Sequence, residues 1–152
     1  MSRRSRARAV VLQLLYEDDL NPRHSLVVSD RFLERRLHHD KALVEFARDL
    51  LAGVRRNRPA LDQLLAGAAA NWSLARMAAT DRNALRLGAY EILHTQTPAR
   101  VAINEAIELA RRFGSEQSGQ FANGILDRLL REPERTPGGP AASATGSESE
   151  GV

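Results

Sequence analysis

Apolar side chains recur along this chain at helical spacing. In the stretch from Val101 to Asp127, Ile103, Ala106, Ile107, Ala110 and Phe113 follow one another at steps of 3, 1, 3 and 3. Such a stripe lines one face of a 3.6-residue helix. Asn104, Glu105, Glu108, Arg111 and Arg112 take the opposite face. Pro98 stands at the helix start, where a missing N–H costs nothing. Gly114 follows the stripe and predicts a left-handed C-terminal cap. Ser115 or Ser118 then caps a second helix carrying Phe121, Gly124, Ile125 and Leu129. Glycine inside a helix costs about 1 kcal/mol against alanine, so Gly124 predicts the close approach of another backbone. Asn104 is expected to tie these two helices through a buried hydrogen bond, and Asn123 to lie at the surface.

The same period organises the chain before this point. Val10, Val11, Leu14 and Leu15 mark a first helix to Leu20, ended by Asn21-Pro22. Ser29 or Asp30 caps a short helix through Leu37. Asp40 opens a long one, in which Leu43, Phe46, Ala47, Leu50, Leu51 and Val54 recur at steps of 3, 1, 3, 1 and 3. Arg55, Arg56 and Arg58 are expected to close it against the negative end of the helix dipole. Pro59 starts a further helix with Leu61, Leu64 and Leu65. Trp72 is expected to plug a gap between helices beside a short turn at 74–77. Thr80 caps the next helix, with Asp81 in its first turn and Leu85, Gly88, Ala89, Ile92 and Leu93 facing the core. No strand pattern or solenoid repeat is present. The expected fold is all-α.

Composition narrows this picture. The chain has 152 residues, 43% of them apolar but only 5% aromatic, enough for one domain with a Leu, Ala, Val and Ile core. From 133 to 152 the sequence turns to Pro, Gly, Ser, Thr, Ala and Glu, and this tail is expected to be disordered beside a folded domain at 1–132. Zero cysteines exclude disulfides and thiolate metal sites. No apolar run reaches membrane-spanning length and no secretory leader is evident, so a cytoplasmic location is expected.

Charge adds one local feature. Net charge is only +3, but Arg3, Arg4, Arg6 and Arg8 occupy the first eight residues without an acid. Cations at a helix N-terminus oppose its dipole and are better understood if an external anion meets them; a frayed, solvated end is the simpler alternative. Arginine offers planar bidentate contacts to phosphate. Paired with aromatic side chains such as Tyr16 and Phe121, it suits single-stranded RNA. Catalytic signals are lacking. There is no phosphate-cradling Gly loop, no zinc-protease or nucleophile-elbow motif, and adjacent His38 and His39 point about 100° apart on a helix. Glu105 and Glu108 are expected to pair with Arg111 and Arg112. A binding module without catalysis or cofactor is expected.

VAINEAIELARRFG followed by FANGILD resembles the signature of the NusB family of transcription antitermination factors. RSRARAVVLQLLYE resembles the family's basic first helix, FARDLLAGV its third, and WSLARMAATDRNALRLGAYEIL its middle segment. The resemblance implies an all-helical bundle of about seven helices in two subdomains. It implies binding to the boxA element of nascent ribosomal RNA together with NusE, a ribosomal protein, alongside other Nus factors and RNA polymerase. Residue by residue, it carries RNA contact to the Arg-rich start (Arg3, Arg4, Arg6, Arg8) and to Tyr16, Gln117 and Phe121. It carries a ribosomal-protein face to Asp81, with Arg82 and Arg86 on the same helix. Two positions depart from the pattern: Ser5 interrupts the basic run, and Gln117 replaces an acid. The resemblance leaves monomer and homodimer open. A related helical domain precedes some rRNA cytosine methyltransferases, but no methyl-donor domain is expected here, since only the tail follows. A helical protein-binding adaptor is the other alternative.

Overall fold

A computed structural model describes residues 2–21, 26–70 and 72–131. It contains six α-helices, α1 (Arg3–Leu20), α2 (Leu26–Arg36), α3 (Lys41–Ala69), α4 (Ala79–His94), α5 (Ala99–Phe113) and α6 (Glu116–Arg131), with one 3-10 turn at Leu74–Arg76. Among the described residues there is no strand, so the all-α expectation holds, with six helices and a turn in place of about seven. The tail from 133 and Pro22 lie outside the described residues.

The helices form two units. In one, α1, α2 and α3 pack on each other; in the other, α4, α5 and α6 do. α4 joins the two by packing on α1 and α3 as well as on α5 and α6. That position explains why every residue from Asn83 to Glu91 is buried. Small residues permit the close approaches. A Cβ on Gly53 of α3 would lie 2.1 Å from the Tyr90 ring of α4. One on Gly88 would lie 2.8 Å from Leu126 and 2.9 Å from Ala106.

Element ends follow local chemistry. α1 already begins at Arg3, with the Ser2 hydroxyl accepting the Ser5 N–H at 3.1 Å; the basic residues are helical, not frayed. Asp40 caps α3 through the Leu43 N–H at 3.2 Å. Both candidate serines serve α6: the Ser115 hydroxyl accepts from the Ser118 N–H and the Ser118 hydroxyl from the Ser115 N–H, at 3.1 and 3.2 Å. This is reciprocal capping.

Several expectations are corrected. Pro59 does not restart a helix but sits inside α3. It removes one N–H donor, at a typical cost of about 3 kcal/mol, yet buried Leu61 and Leu65 continue the stripe of Leu50, Leu51 and Val54, and burying them outweighs that loss. Arg55 and Arg58 are therefore mid-helix. α2 starts before Ser29, which is buried inside it. α4 is preceded by Ala78 rather than capped by Thr80. Leu93 and Phe113, expected in the core, are 41% and 43% exposed, because each lies at the last turn of its helix. Asn104 is exposed, and among the described residues it ties no helix to another. Gly124 is exposed, and a Cβ there would meet nothing within 4 Å. Gly114 has φ of −118°, not a left-handed value. Glycine is needed there because a Cβ would lie 2.7 Å from the Ala110 backbone carbonyl oxygen, and also 2.6 Å from the Ser118 hydroxyl and 2.9 Å from the Asp81 carboxylate.

Candidate nucleic-acid interface

The first turns of α1 present Arg3, Arg4 and Arg6 to solvent. Arg3 pairs with Asp40, the cap of α3. That contact, with the Leu43 N–H, holds the Asp40 carboxyl below its usual range. The Arg4 guanidinium lies 4.4 Å from the centre of the Phe46 ring. A cation over an aromatic face is held in place without losing its charge. Arg6 is exposed beside them. Three cations thus stand at the positive end of the α1 dipole, where among the described residues only Arg3 has a carboxylate partner.

Arg8 departs from this group. It is 4% exposed and donates through Nε and Nη2 to both oxygens of Glu91, at 2.7 and 2.8 Å; Glu91 is 1% exposed. Thr97 donates to the same carboxylate at 3.0 Å, and Glu105 stands 3.6 Å from Arg8. Ser5, the break in the basic run, donates to Glu105 at 2.9 Å. Glu105 therefore ties α5 to α1 instead of joining the ladder with Glu108, which pairs with Arg111. These bonds fix where α1 points. Buried charges of this kind persist only when fully paired.

Arg82 and Arg86 are also engaged within the fold. Asp19 of α1 accepts from Arg58, Arg82, Asn83 and Arg86 at 2.7 to 3.2 Å. Arg86 makes a second, two-pronged pair with Asp62 of α3. Burial alone would raise the Asp19 carboxyl, but the hydrogen bonds from Arg82 and Asn83 and the charges of Arg86 and Arg58 hold it below its ordinary value. Burial disfavours the Arg86 charge, but Asp62 and Asp19 raise its basicity above the ordinary value. Arg55 similarly clasps Asp18, which gives the mid-α3 arginines a structural explanation. So although Asp81, Arg82 and Arg86 share one helix, Arg82 and Arg86 face inward.

Asp81 lies elsewhere. It lines a cleft of about 810 Å³ with Gln117 and Phe121 of α6, Trp72 and Arg76. One Asp81 carboxylate oxygen is buried without a hydrogen-bond partner. Trp72 does not plug a core gap: it is 61% exposed and meets the Phe121 ring edge-to-face at 5.0 Å. The structure thus brings Gln117, Phe121 and Asp81 together, and separates them from the Arg3, Arg4 and Arg6 patch. Tyr16 is half-buried on α1 and lines neither the cleft nor that patch.

Residues 5–131 match the model of the NusB family. The transcription antitermination protein NusB of Anaeromyxobacter dehalogenans strain 2CP-1 is 42% identical over 128 residues, 84% of this chain and 90% of that one. The chain belongs to the NusB family. T. maritima NusB superposes with a TM-score of 0.76 at 38% identity, over 87% of this chain and 92% of that one. An antitermination factor NusB solved with NusE and double-stranded RNA superposes with a TM-score of 0.76 at 26% identity, over 86% and 98% of the two chains. Membership in this family agrees with the all-helical architecture.

Within that fold, sequence reasoning missed Glu91, Phe46 and Trp72. Glu91 had a signal. It falls four residues after Leu87 on the buried side of α4, where an acid demands a cation. Arg8 precedes Leu12 and Leu15 by four and seven on the buried side of α1, which is the matching position. Phe46 reads as core because it lies on the α3 stripe, and only the structure puts Arg4 over it. The exposure of Trp72 had no signal in spacing.

Proposed function

We propose that this chain is a cytoplasmic transcription antitermination factor that binds boxA of nascent ribosomal RNA together with NusE, without catalysis. The observation that carries this reading is the exposed Arg3, Arg4 and Arg6 cluster on the first turns of α1, in a chain belonging to the NusB family. These residues are the phosphate contacts. Arg8, buried against Glu91, positions them and does not itself touch RNA. Gln117 and Phe121 contribute RNA contact from their cleft, and Asp81 stands beside them. Tyr16 is a further contact of the assembled complex, whereas Arg82 and Arg86 support the partner face from inside. Among the described residues no helix is long and apolar enough to cross a membrane, which is compatible with this location.

The test mixes the full chain with boxA RNA, with NusE, and with both, and records molar mass by light scattering. A ternary species with RNA held more tightly than by either protein alone is expected. A species containing NusE but no RNA would instead make the chain a protein adaptor.

A further inference from the structure

A second cleft, of about 520 Å³, opens beside the basic patch. Its walls come from α1, α3, the α4–α5 connection and the start of α5: Arg4, Phe46, Tyr90, Gln96, Pro98 and Val101 are the residues that matter here. Tyr90 is locked by Gly53 on one side and lies stacked on His94, with ring centres 5.2 Å apart and planes 29° apart. Phe46 is half-buried, packs against the core and carries Arg4 on its face. Gln96 is exposed at the rim. The charges around the cleft cancel. Two arginines, Arg4 and Arg8, and two carboxylates, Asp49 and Glu105, line it, and the buried pairing of Arg8 with Glu91 leaves no cationic excess there for an anion. Such a cavity repels a second phosphate less than it fails to reward one; it suits a flat, neutral group with hydrogen-bonding edges.

We propose that this cleft receives one unstacked nucleobase of the bound single-stranded RNA. The inference rests on the RNA-binding reading above and adds a base-reading subsite to it. Arg4 links the two. Its guanidinium lies on Phe46 and lines the cleft, and exposed Arg3 and Arg6 belong to the same first turns of α1. An RNA backbone following Arg3 and Arg6 passes this cleft, and a base turned inward meets the Arg4 plane, an apolar wall at Pro98 and Val101, and the Gln96 amide. Cation and aromatic planes accept any base by stacking. The amide adds a donor and an acceptor for its edge. Without an inserted base the cleft leaves Val101 41% exposed at the start of α5.

The test uses the full chain with NusE and a boxA RNA in which each nucleotide in turn is abasic, for wild type and Val101→Trp. Val101 is a surface position, and the larger ring fills the cleft without entering the core. For wild type, one abasic position should weaken binding by about fivefold or more, the size of one lost stacking contact. Val101→Trp should weaken the intact RNA by a similar factor, and that same abasic position should then have no further effect, because contacting groups are not additive. If the two losses multiply at every position, the subsite is overturned while RNA binding stands. If wild type does not bind intact RNA at all, the subsite falls together with the reading it rests on.

Discussion

Arg8 and Glu91 show how a single pair connects the fold to the interface. Each is nearly fully buried, and each is the other's main partner. Replacing one removes a counter-charge from a site where water cannot compensate. Glu91→Gln is expected to cost about 3 kcal/mol of folding stability, at the lower end for broken buried pairs. Chemical denaturation of the variant beside wild type measures this. A change under about 0.5 kcal/mol, the size of an ordinary surface substitution, would mean the pair is not what holds α1. Along the chain Arg8 reads as one more RNA contact and Glu91 goes unremarked, although both fall on the buried sides of their helices, where a buried acid and a buried base must find each other. What spacing could not show is that Arg8 thereby leaves the cationic cluster. Four arginines in eight residues look equivalent along the chain, and only the direction in which α1 packs separates one from three.

At the scale of the element, helices were far more legible than their ends. The α5 stripe and the Asp40 cap of α3 appear as expected. Pro59 and Thr80 misled, since both are local signals that long-range packing overrode. Gly114 and Gly124 were each read from backbone rules. The first is instead needed for the space that the Ala110 carbonyl, Ser118 and Asp81 occupy, and nothing in the structure explains the second. The end of α3 carries a cost that local reading did not foresee. Ala70 has φ of 58° and ψ of −101°, a conformation that favours glycine. Ala70→Gly should therefore stabilise the protein by about 1 kcal/mol, seen as a rise in Tm by calorimetry. An unchanged or lower Tm would show that Ala70 does not hold this conformation in solution.

Taken whole, the molecule is two helical units joined through α4, and charge does much of the joining. Asp19 of α1 meets Arg58 of α3 and Arg82 and Arg86 of α4. Its carboxyl is held below its ordinary 3.8. A lowered folded-state value means the folded protein binds its proton less readily than the unfolded chain. The contribution to stability is therefore complete above about pH 3.8 and is lost as pH falls through the lower folded value. The stability gap between wild type and Asp19→Asn should be widest near neutrality and shrink in acid. A gap that stays constant from neutral to strongly acid pH would remove Asp19 from this role.

The proposed grip of α1 on RNA depends on its exposed arginines. It is tested most directly by titrating boxA RNA, in the presence of NusE, into wild type and the Arg3→Ala, Arg4→Ala, Arg6→Ala triple variant across a range of salt. Phosphate contacts release counterions, and each contributes about 0.7 to the slope of log affinity against log salt for a single strand. The triple variant should bind at least several-fold more weakly, with a slope shallower by up to about 2, while its thermal stability stays near that of wild type. Unchanged affinity and unchanged slope would contradict the account and leave the cluster a solvated helix end.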